Sequence, residues 1–523
     1  MKILDLKTIS ISICILLLSI NLKSQTISLY QKTYTSGLNE IGNFAGPAND
    51  GGLIVAGYTN VGGNDALVIK LNPDGDVDWA YTYSGTGTQI ANVARPTSDG
   101  GYIVVGYNAS ADNYSSRDVL LMKLNSDGTL DWAKTYGTDN SDAGYDVVVA
   151  NDGGFAVVGE TNKVIGSGGG MLFIKTDASG NVSSYNQYRD DSGEIGKSIA
   201  KTSDGGYIVA NDDLSDYVNF MKLTSTGIIS WSKSSVATGV FGSPSVWQVI
   251  QTSDGGYAAA AHMADVSFSD AAVVKVNSSG VVEWWERIGN PTVSSAEDWA
   301  FGIQQYGDEL IVSGYTNNGG PSAYVFKMDM DGNLLSSDII SSANRFGMYL
   351  SPGGDGGYAL ATQKGSALMT IKMNSEVFSG CSNTDAGLSV LGDTYLEDDA
   401  PTTFEVTTAP TPADANLTAT PYSPTISTPC EGLPVEEISI NEDIIIYPNP
   451  ASENIFISLN NNVTESPVLI TIINSQGQII SSFNLNNMKT FSIKTSSLQD
   501  GLYFLQVSFG DQFLKKKFIL ENN

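Results

Sequence analysis

Few residues in this chain could do chemistry unaided. It has one histidine, His262, and three cysteines among 523 residues, which argues against a His-rich metal site or a structural zinc module. No nucleophile-elbow motif accompanies His262, so a Ser-His-Asp hydrolase lacks its nucleophile. Asp329-x-Asp331-Gly332 and Asp74-Gly75-Asp76 fall short of the spacing of a full calcium loop. The sequence offers instead carboxylates and aromatic faces at matching places in a repeat. One aligned position reads Tyr58, Tyr107, Glu160, Asp212, His262, Tyr315 and Gln363. A second reads Glu40, Gln89, Asp142, Glu194, Pro244, Glu297 and Arg345. Two suitably separated carboxylates are what a glycoside hydrolase requires, and Glu160, Asp212, Asp142 and Glu194 are the candidates. The expected ligand contacts are Glu160, Asp212, His262, Tyr58, Tyr107 and Tyr315, the tyrosines supplying flat apolar faces with a hydroxyl. Such an acidic mouth favours neutral or cationic groups. His262 beside acidic neighbours would tend towards protonation and make binding pH-dependent. Neither a metal nor a cofactor is expected.

The elements that must position these residues come from internal repetition. Asp-Gly-Gly followed by an apolar run recurs from Asp50, Asp99, Asp152, Asp204, Asp254 and Asp355, with a degenerate copy at Gly307-Asp308-Glu309. The residue after the turn falls at 53, 102, 155, 207, 257, 310 and 358, a period that marks a repeat architecture. Each copy holds four strand-like runs joined by Gly-containing turns, where glycine supplies positive φ. The third run carries a lysine at 70, 123, 175, 222, 275, 327 and 372, and the fourth carries Trp79, Trp132, Trp231 and Trp284. Four antiparallel strands in seven copies imply an all-β, seven-bladed β-propeller. The last copy lacks its fourth strand, while Leu29–Tyr34 resembles one without a first three. The N-terminal strand is therefore expected to close the propeller and cover its open edges. The Asp-Gly-Gly aspartates read as turn formers, and the tryptophans as packing between blades.

Composition places the chain outside the cytoplasm. Lys2 and Lys7 precede an apolar run from Ile9 to Ile20, the pattern of a signal peptide at 1–24 and too short to span a bilayer. No later stretch is long and apolar enough for a transmembrane helix. Lys+Arg 27 against Asp+Glu 56 leaves a net charge of −29, which removes the basic footprint of a nucleic-acid binder. Residues 25–375 form the propeller, and 376–440 read as a Pro/Thr-rich linker. Cys381 and Cys430, the two cysteines outside the signal, are the candidates for a disulfide. Residues 441–523 alternate with period two and read as a small immunoglobulin-like β-sandwich.

Within that last segment, Tyr447-Pro448-Asn449-Pro450, the turn at Gly477, Gly501 and Tyr503 in Asp-Gly-Leu-Tyr, and Lys515-Lys516-Lys517 in the final strand form an ordered set. It resembles the type A C-terminal sorting domain of the type IX secretion system, a family of the Bacteroidota. The resemblance covers about residues 444–523. It implies partnership with the type IX machinery, passage across the outer membrane, and an extracellular or cell-surface destination. The Asp-Gly-Gly-Tyr and Lys-Leu-Asn-x-x-Gly-x-x-x-Trp signatures resemble a propeller repeat of similar secreted proteins, which specifies fold better than activity. Three roles remain open from sequence. The chain is a monomeric, non-catalytic binding or adhesion module for an extracellular glycan or protein, a polysaccharide-degrading glycoside hydrolase, or a structural surface protein without a ligand.

Overall fold

The computed structural model describes residues 29–60, 63–109, 116–138, 141–162, 169–189, 194–213, 218–238, 244–264, 269–290, 297–317, 320–342, 349–352 and 357–374, then separate segments between 384 and 520. The signal segment 1–24, Cys381, Arg345, Pro448–Pro450 and Gly477 lie outside the described residues, as do the side chains of Cys430, Tyr447, Lys515 and Lys517. Every regular element among the described residues is a strand. The fold is all-β and propeller-like.

The first repeat shows how the sequence makes one sheet. Strands β2 (Glu40–Pro47), β3 (Leu53–Asn60), β4 (Asn64–Leu71) and β5 (Val77–Ser84) pair antiparallel in chain order. Asp50-Gly51-Gly52 turns β2 into β3. Gly51 sits at φ 85°, where a side chain would be strained. A Cβ on Gly52 would run into the Leu71 carbonyl oxygen and lie 2.9 Å from Lys70 Nζ. The aspartate accepts the Gly52 N–H, as its turn role requires.

That aspartate has a second task. Lys70 is 4% exposed, and its Nζ meets Asp50 at 2.8 Å, Asp78 at 3.0 Å and the Leu71 carbonyl at 2.8 Å. The same pair recurs as Lys123–Asp99, Lys175–Asp152, Lys222–Asp204 and Lys275–Asp254, at 2.8–2.9 Å. A buried ammonium is tolerated only when paired and hydrogen-bonded, which explains why the lysine and the turn aspartate recur together. Lys327 uses Glu309 at 3.3 Å in the sixth copy, and Lys372 donates to the Pro73 carbonyl in the seventh.

Neighbouring sheets are joined by aromatics. Trp79, Trp132, Trp231 and Trp284 lie against Gly128, Gly180, Gly280 and Gly332 in the next copy's last turn. Trp79 and Trp284 each donate the indole N–H to a carbonyl of that turn. Tyr83 and Tyr136 donate their hydroxyls to the Gly128 and Gly180 carbonyls at 2.6 and 2.7 Å. Strand β1 (Tyr30–Thr35) makes the same contacts. Tyr30 lies on Gly75, Tyr34 donates to the Gly75 carbonyl at 2.7 Å, and β1 pairs with Ala367–Met373 from the seventh copy, Tyr30 opposite Lys372.

Residues between 384 and 430 differ from the expected linker. The described residues contain seven five-stranded sheets, and in each the fifth strand comes from this region. Thr384–Asp385 pairs with Leu334–Ser342, Ser389–Val390 with Val282–Gly289, and Thr394–Asp398 with Ile229–Thr238. Thr403–Glu405 pairs with Val182–Arg189, Ala413–Asp414 with Leu130–Tyr136, Thr418–Pro421 with β5, and Thr425–Cys430 with β1. The chain thus visits the sheets in reverse order and ends on the one that holds its own N-terminal strand. An edge strand needs backbone donors and acceptors rather than an apolar face, so these short Pro- and Thr-rich pieces carry no alternation that would announce them. Ala386 and Leu388 anchor the belt in the core.

A separate unit spans Leu433–Asn523. It has a three-stranded sheet from Ile444–Tyr447, Asn454–Leu459 and Thr490–Lys494, and a four-stranded one from Val468–Asn474, Ile479–Leu485, Gly501–Phe509 and Gln512–Leu520. Alternate residues from both sheets, including Ile455, Ile457, Ile470, Ile472, Leu505 and Phe518, bury one apolar cluster.

Candidate functional site

The innermost strand of each of the first six sheets carries a β-bulge. The register shifts leave Asn43, Asn92, Tyr145, Lys197, Trp247 and Phe301 as the extra residues. A bulge re-aims a side chain and bends its strand. The bend brings the inner strand's carbonyls onto the second strand. A Cβ on Gly106 would collide with the Ile90 carbonyl, so glycine precedes Tyr107. The position singled out in the repeat follows such a glycine at Tyr58, Tyr107, Glu160 and Tyr315, and follows Asn211 and Ala261 at Asp212 and His262. It lies on one register row, with Tyr58 opposite Ile41, Tyr107 opposite Ile90, Glu160 opposite Ala143, Asp212 opposite Ile195, His262 opposite Ser245 and Tyr315 opposite Trp299.

Glu160, Asp212 and His262 are 7, 8 and 7% exposed and belong to one chain of contacts through the bulge residues. Arg117, held over the Tyr107 ring at 5.2 Å, bonds Glu160 at 2.6 Å. Glu160 faces Tyr145, whose hydroxyl is pushed up by burial and by that carboxylate. Lys197 sits between the rings of Tyr145 and Trp247, at 5.1 and 5.4 Å, and 3.5 Å from Asp212. Asp212 also accepts from the Ser245 hydroxyl and the Val246 N–H. Burial raises its pKa, opposed by Lys197 and these bonds. Trp247 donates its indole N–H to His262 Nδ1 at 3.0 Å, and the imidazole stacks on Trp299 at 4.2 Å and 3°. Trp247 meets Phe301 edge-on at 4.9 Å.

This geometry changes two expectations. The mouth was expected to be acidic and to attract cations, yet Arg117 and Lys197 stand against Glu160 and Asp212. His262 was expected to gain a proton from acidic neighbours, whereas its Nδ1 lone pair accepts from Trp247 and its face lies on Trp299. Tyr315 is 5% exposed and packs in a core cluster with Phe301 and Leu350, so its ring offers a ligand little of the expected face. Tyr58 and Tyr107 are half-buried.

The acids at the strand starts brace loops. Glu40 accepts from the Ser36 N–H, and Asp142 from the Thr138 N–H, with Gln89 doing the same for Gly85. In the sixth sheet the equivalent is Asp298, accepting from the Asn290 N–H, and not Glu297. The degenerate turn at Gly307-Asp308 is one residue shorter, which displaced the alignment. Asp118 is pushed up to about 6 by burial and by the neighbouring Asp142. Sequence reasoning missed Tyr145, Lys197, Trp247 and Phe301. Their signal was present: the place fifteen residues before the aligned position reads Asn43, Asn92, Tyr145, Lys197 and Trp247.

Towards the Asp-Gly-Gly end of the same inner strands lies a cavity of about 370 Å³. Between it and the bulge residues runs a polar layer. Asp146 accepts from Arg95 Nη2, the Ser198 hydroxyl and the Ile199 N–H. The Leu350 carbonyl accepts from Gln248 and Gln304.

Residues 445–521 match the secretion system C-terminal sorting domain, and residues 48–78 match a β-propeller domain of unknown function. The chain therefore carries a type IX sorting tail, which directs export to the cell surface or the extracellular space. No described helix is long and apolar enough to cross a membrane. No curated protein matches the sequence. Among solved structures, a protein of unknown function from Bacteroides caccae is 12% identical, with a TM-score of 0.35 over 59% of this chain and 93% of its own. A Hadza microbial sialidase is 12% identical, with a TM-score of 0.38 over 61% and 75%. The polysaccharide lyase Uly1 is 10% identical, with a TM-score of 0.38 over 63% and 90%.

Proposed function

We propose that residues 25–375, with the 384–430 belt, form a closed seven-bladed propeller that binds an extracellular glycan or protein without turning it over. Residues 441–523 serve as a sandwich-like sorting domain for the type IX machinery, and the exported protein acts as a monomer. The signal peptide at 1–24 starts that route, and Cys381 with Cys430 would tie the belt's two ends. The observation that supports binding is how the carboxylates are used. Glu160 and Asp212 are each committed to a cation and to hydrogen bonds, while Tyr145, Lys197, Trp247 and Trp299 remain half-buried beside them. Aromatic faces with a hydrogen-bonding edge suit a neutral sugar ring, and a lysine between two rings adds a donor.

The test is a glycan array with the purified protein, repeated with Trp247→Ala and with the triple variant Glu160→Gln, Asp212→Asn, His262→Ala, each checked for an intact fold. Binding lost in Trp247→Ala without release of reducing ends supports the reading. Undiminished binding in both variants places the site elsewhere. One observation favours hydrolysis as a second reading. Asp118, at about 6 beside Asp142, has the raised pKa that a general acid needs. Release of reducing ends that disappears in Asp118→Asn would establish that reading in place of the first.

A further inference from the structure

We propose that the cavity at the Asp-Gly-Gly end of the inner strands is a second ligand site, independent of the mouth, for a small monocarboxylate with an apolar body. Its walls come from six inner strands and include Phe44, Pro47, Ala94, Val149, Ala200 and Ile250. At about 370 Å³ it falls at the lower end of the range of small-molecule pockets. It opens outward past Lys201, Gln251, Ser253 and Gln304, which line the adjoining surface hollow.

Charge selects the ligand. The chain as a whole carries −29, yet the ionisable side chains lining this cavity are Arg95 and Lys201. Lys201 is exposed and forms no ion pair with any described residue. Arg95 is held in place from behind. Its Nε donates to the Val147 carbonyl at 2.5 Å, its Nη2 to Asp146 at 2.9 Å, and its guanidinium lies 5.5 Å over the Phe44 ring. A guanidinium has five N–H donors, and these bonds use two. Asp146 is saturated on its far side by Ser198 and Ile199, so it fixes Arg95 without reaching into the cavity. A carboxylate would therefore meet a pre-positioned donor and an exposed cation at the rim, with its tail against Ala200, Ile250 and Val149. A cationic head group would meet Lys201 instead.

The experiment is calorimetric titration of the full chain with octanoate, using octanol and octylamine as neutral and cationic probes of the same length. Octanoate should bind at one site per chain, at least about tenfold more tightly than octylamine, since the half-buried Arg95 and the rim Lys201 together attract a carboxylate and repel an ammonium. Lys201→Glu should weaken octanoate about tenfold or more and narrow the gap to octylamine. Lys494→Glu, the same charge change on the separate C-terminal unit, should leave it unaltered. Ala200→Phe, which fills the cavity, should abolish binding of octanoate and octanol alike. Trp247→Ala should change nothing, which separates this site from the mouth. No saturable octanoate binding, equal binding of the three probes, or indifference to both Lys201→Glu and Ala200→Phe would overturn the proposal.

Discussion

Replacing Tyr34 by alanine tests whether the N-terminal strand holds the place of a fourth blade strand. The Tyr34 side chain is fully buried, and its hydroxyl reaches the Gly75 carbonyl at 2.7 Å and Thr370 at 3.2 Å. Tyr83 and Tyr136 make the matching bond in sheets that are continuous in sequence. Truncating a large buried aromatic costs roughly 3–5 kcal/mol. Removing only the hydroxyl strands the Gly75 carbonyl and costs about 1–2 kcal/mol. For a cooperative unit of about 400 residues, an unfolding entropy of ~2 cal/mol/K per residue makes the larger loss a fall of about 5 °C in Tm. Scanning calorimetry of Tyr34→Ala, Tyr34→Phe and Tyr136→Ala should show equal falls for the two alanine variants and a smaller one for phenylalanine. A Tyr34→Ala protein within about 1 °C of the parent, beside a Tyr136→Ala protein that loses the full amount, would refute the equivalence.

Three further outcomes are expected. The Thr97 hydroxyl and Lys123 hold Asp99 at about 2, against an ordinary 3.8, and Asp50 and Asp152 are lowered too. A carboxylate with a depressed folded pKa contributes stability that is present above its unfolded value and lost as pH falls through the folded one. The Tm difference between the parent and Asp99→Asn should therefore hold above about pH 4 and shrink between about 4 and 2, and a difference that does not change over that range would count against the pair. Deleting 384–430 uncovers the outer edges of seven sheets, so light scattering should report association by edge pairing; a deletion protein that stays monomeric would show the belt to be dispensable for this. Removing 444–523 should leave the protein in the periplasm of its host, and its normal arrival at the surface would contradict the sorting role.

Much of the architecture was legible because it repeats. Turn glycines, the paired lysine and the fourth-strand tryptophan each solve a local problem at fixed spacing, and the same solution recurring from copy to copy leaves a pattern in one sequence. The orphan strand at Leu29–Tyr34 was legible for the same reason, since it resembles the fourth strands. The sorting tail was equally readable, its motifs lying in order near the end of the chain. Tertiary structure alone decided what has no period. The belt binds by backbone pairing to edges from 45 residues away (Thr384 on Ile339) to 399 (Cys430 on Gln31), which leaves no mark on side-chain pattern. The charge of the mouth was likewise invisible, because Arg117 reaches Glu160 from the neighbouring sheet and Lys197 reaches Asp212 through a bulge. A bulge inserts one residue without changing the composition around it, so the repeat marks Tyr145, Lys197 and Trp247 as equivalent, and the pairing register shows them as the extra residues.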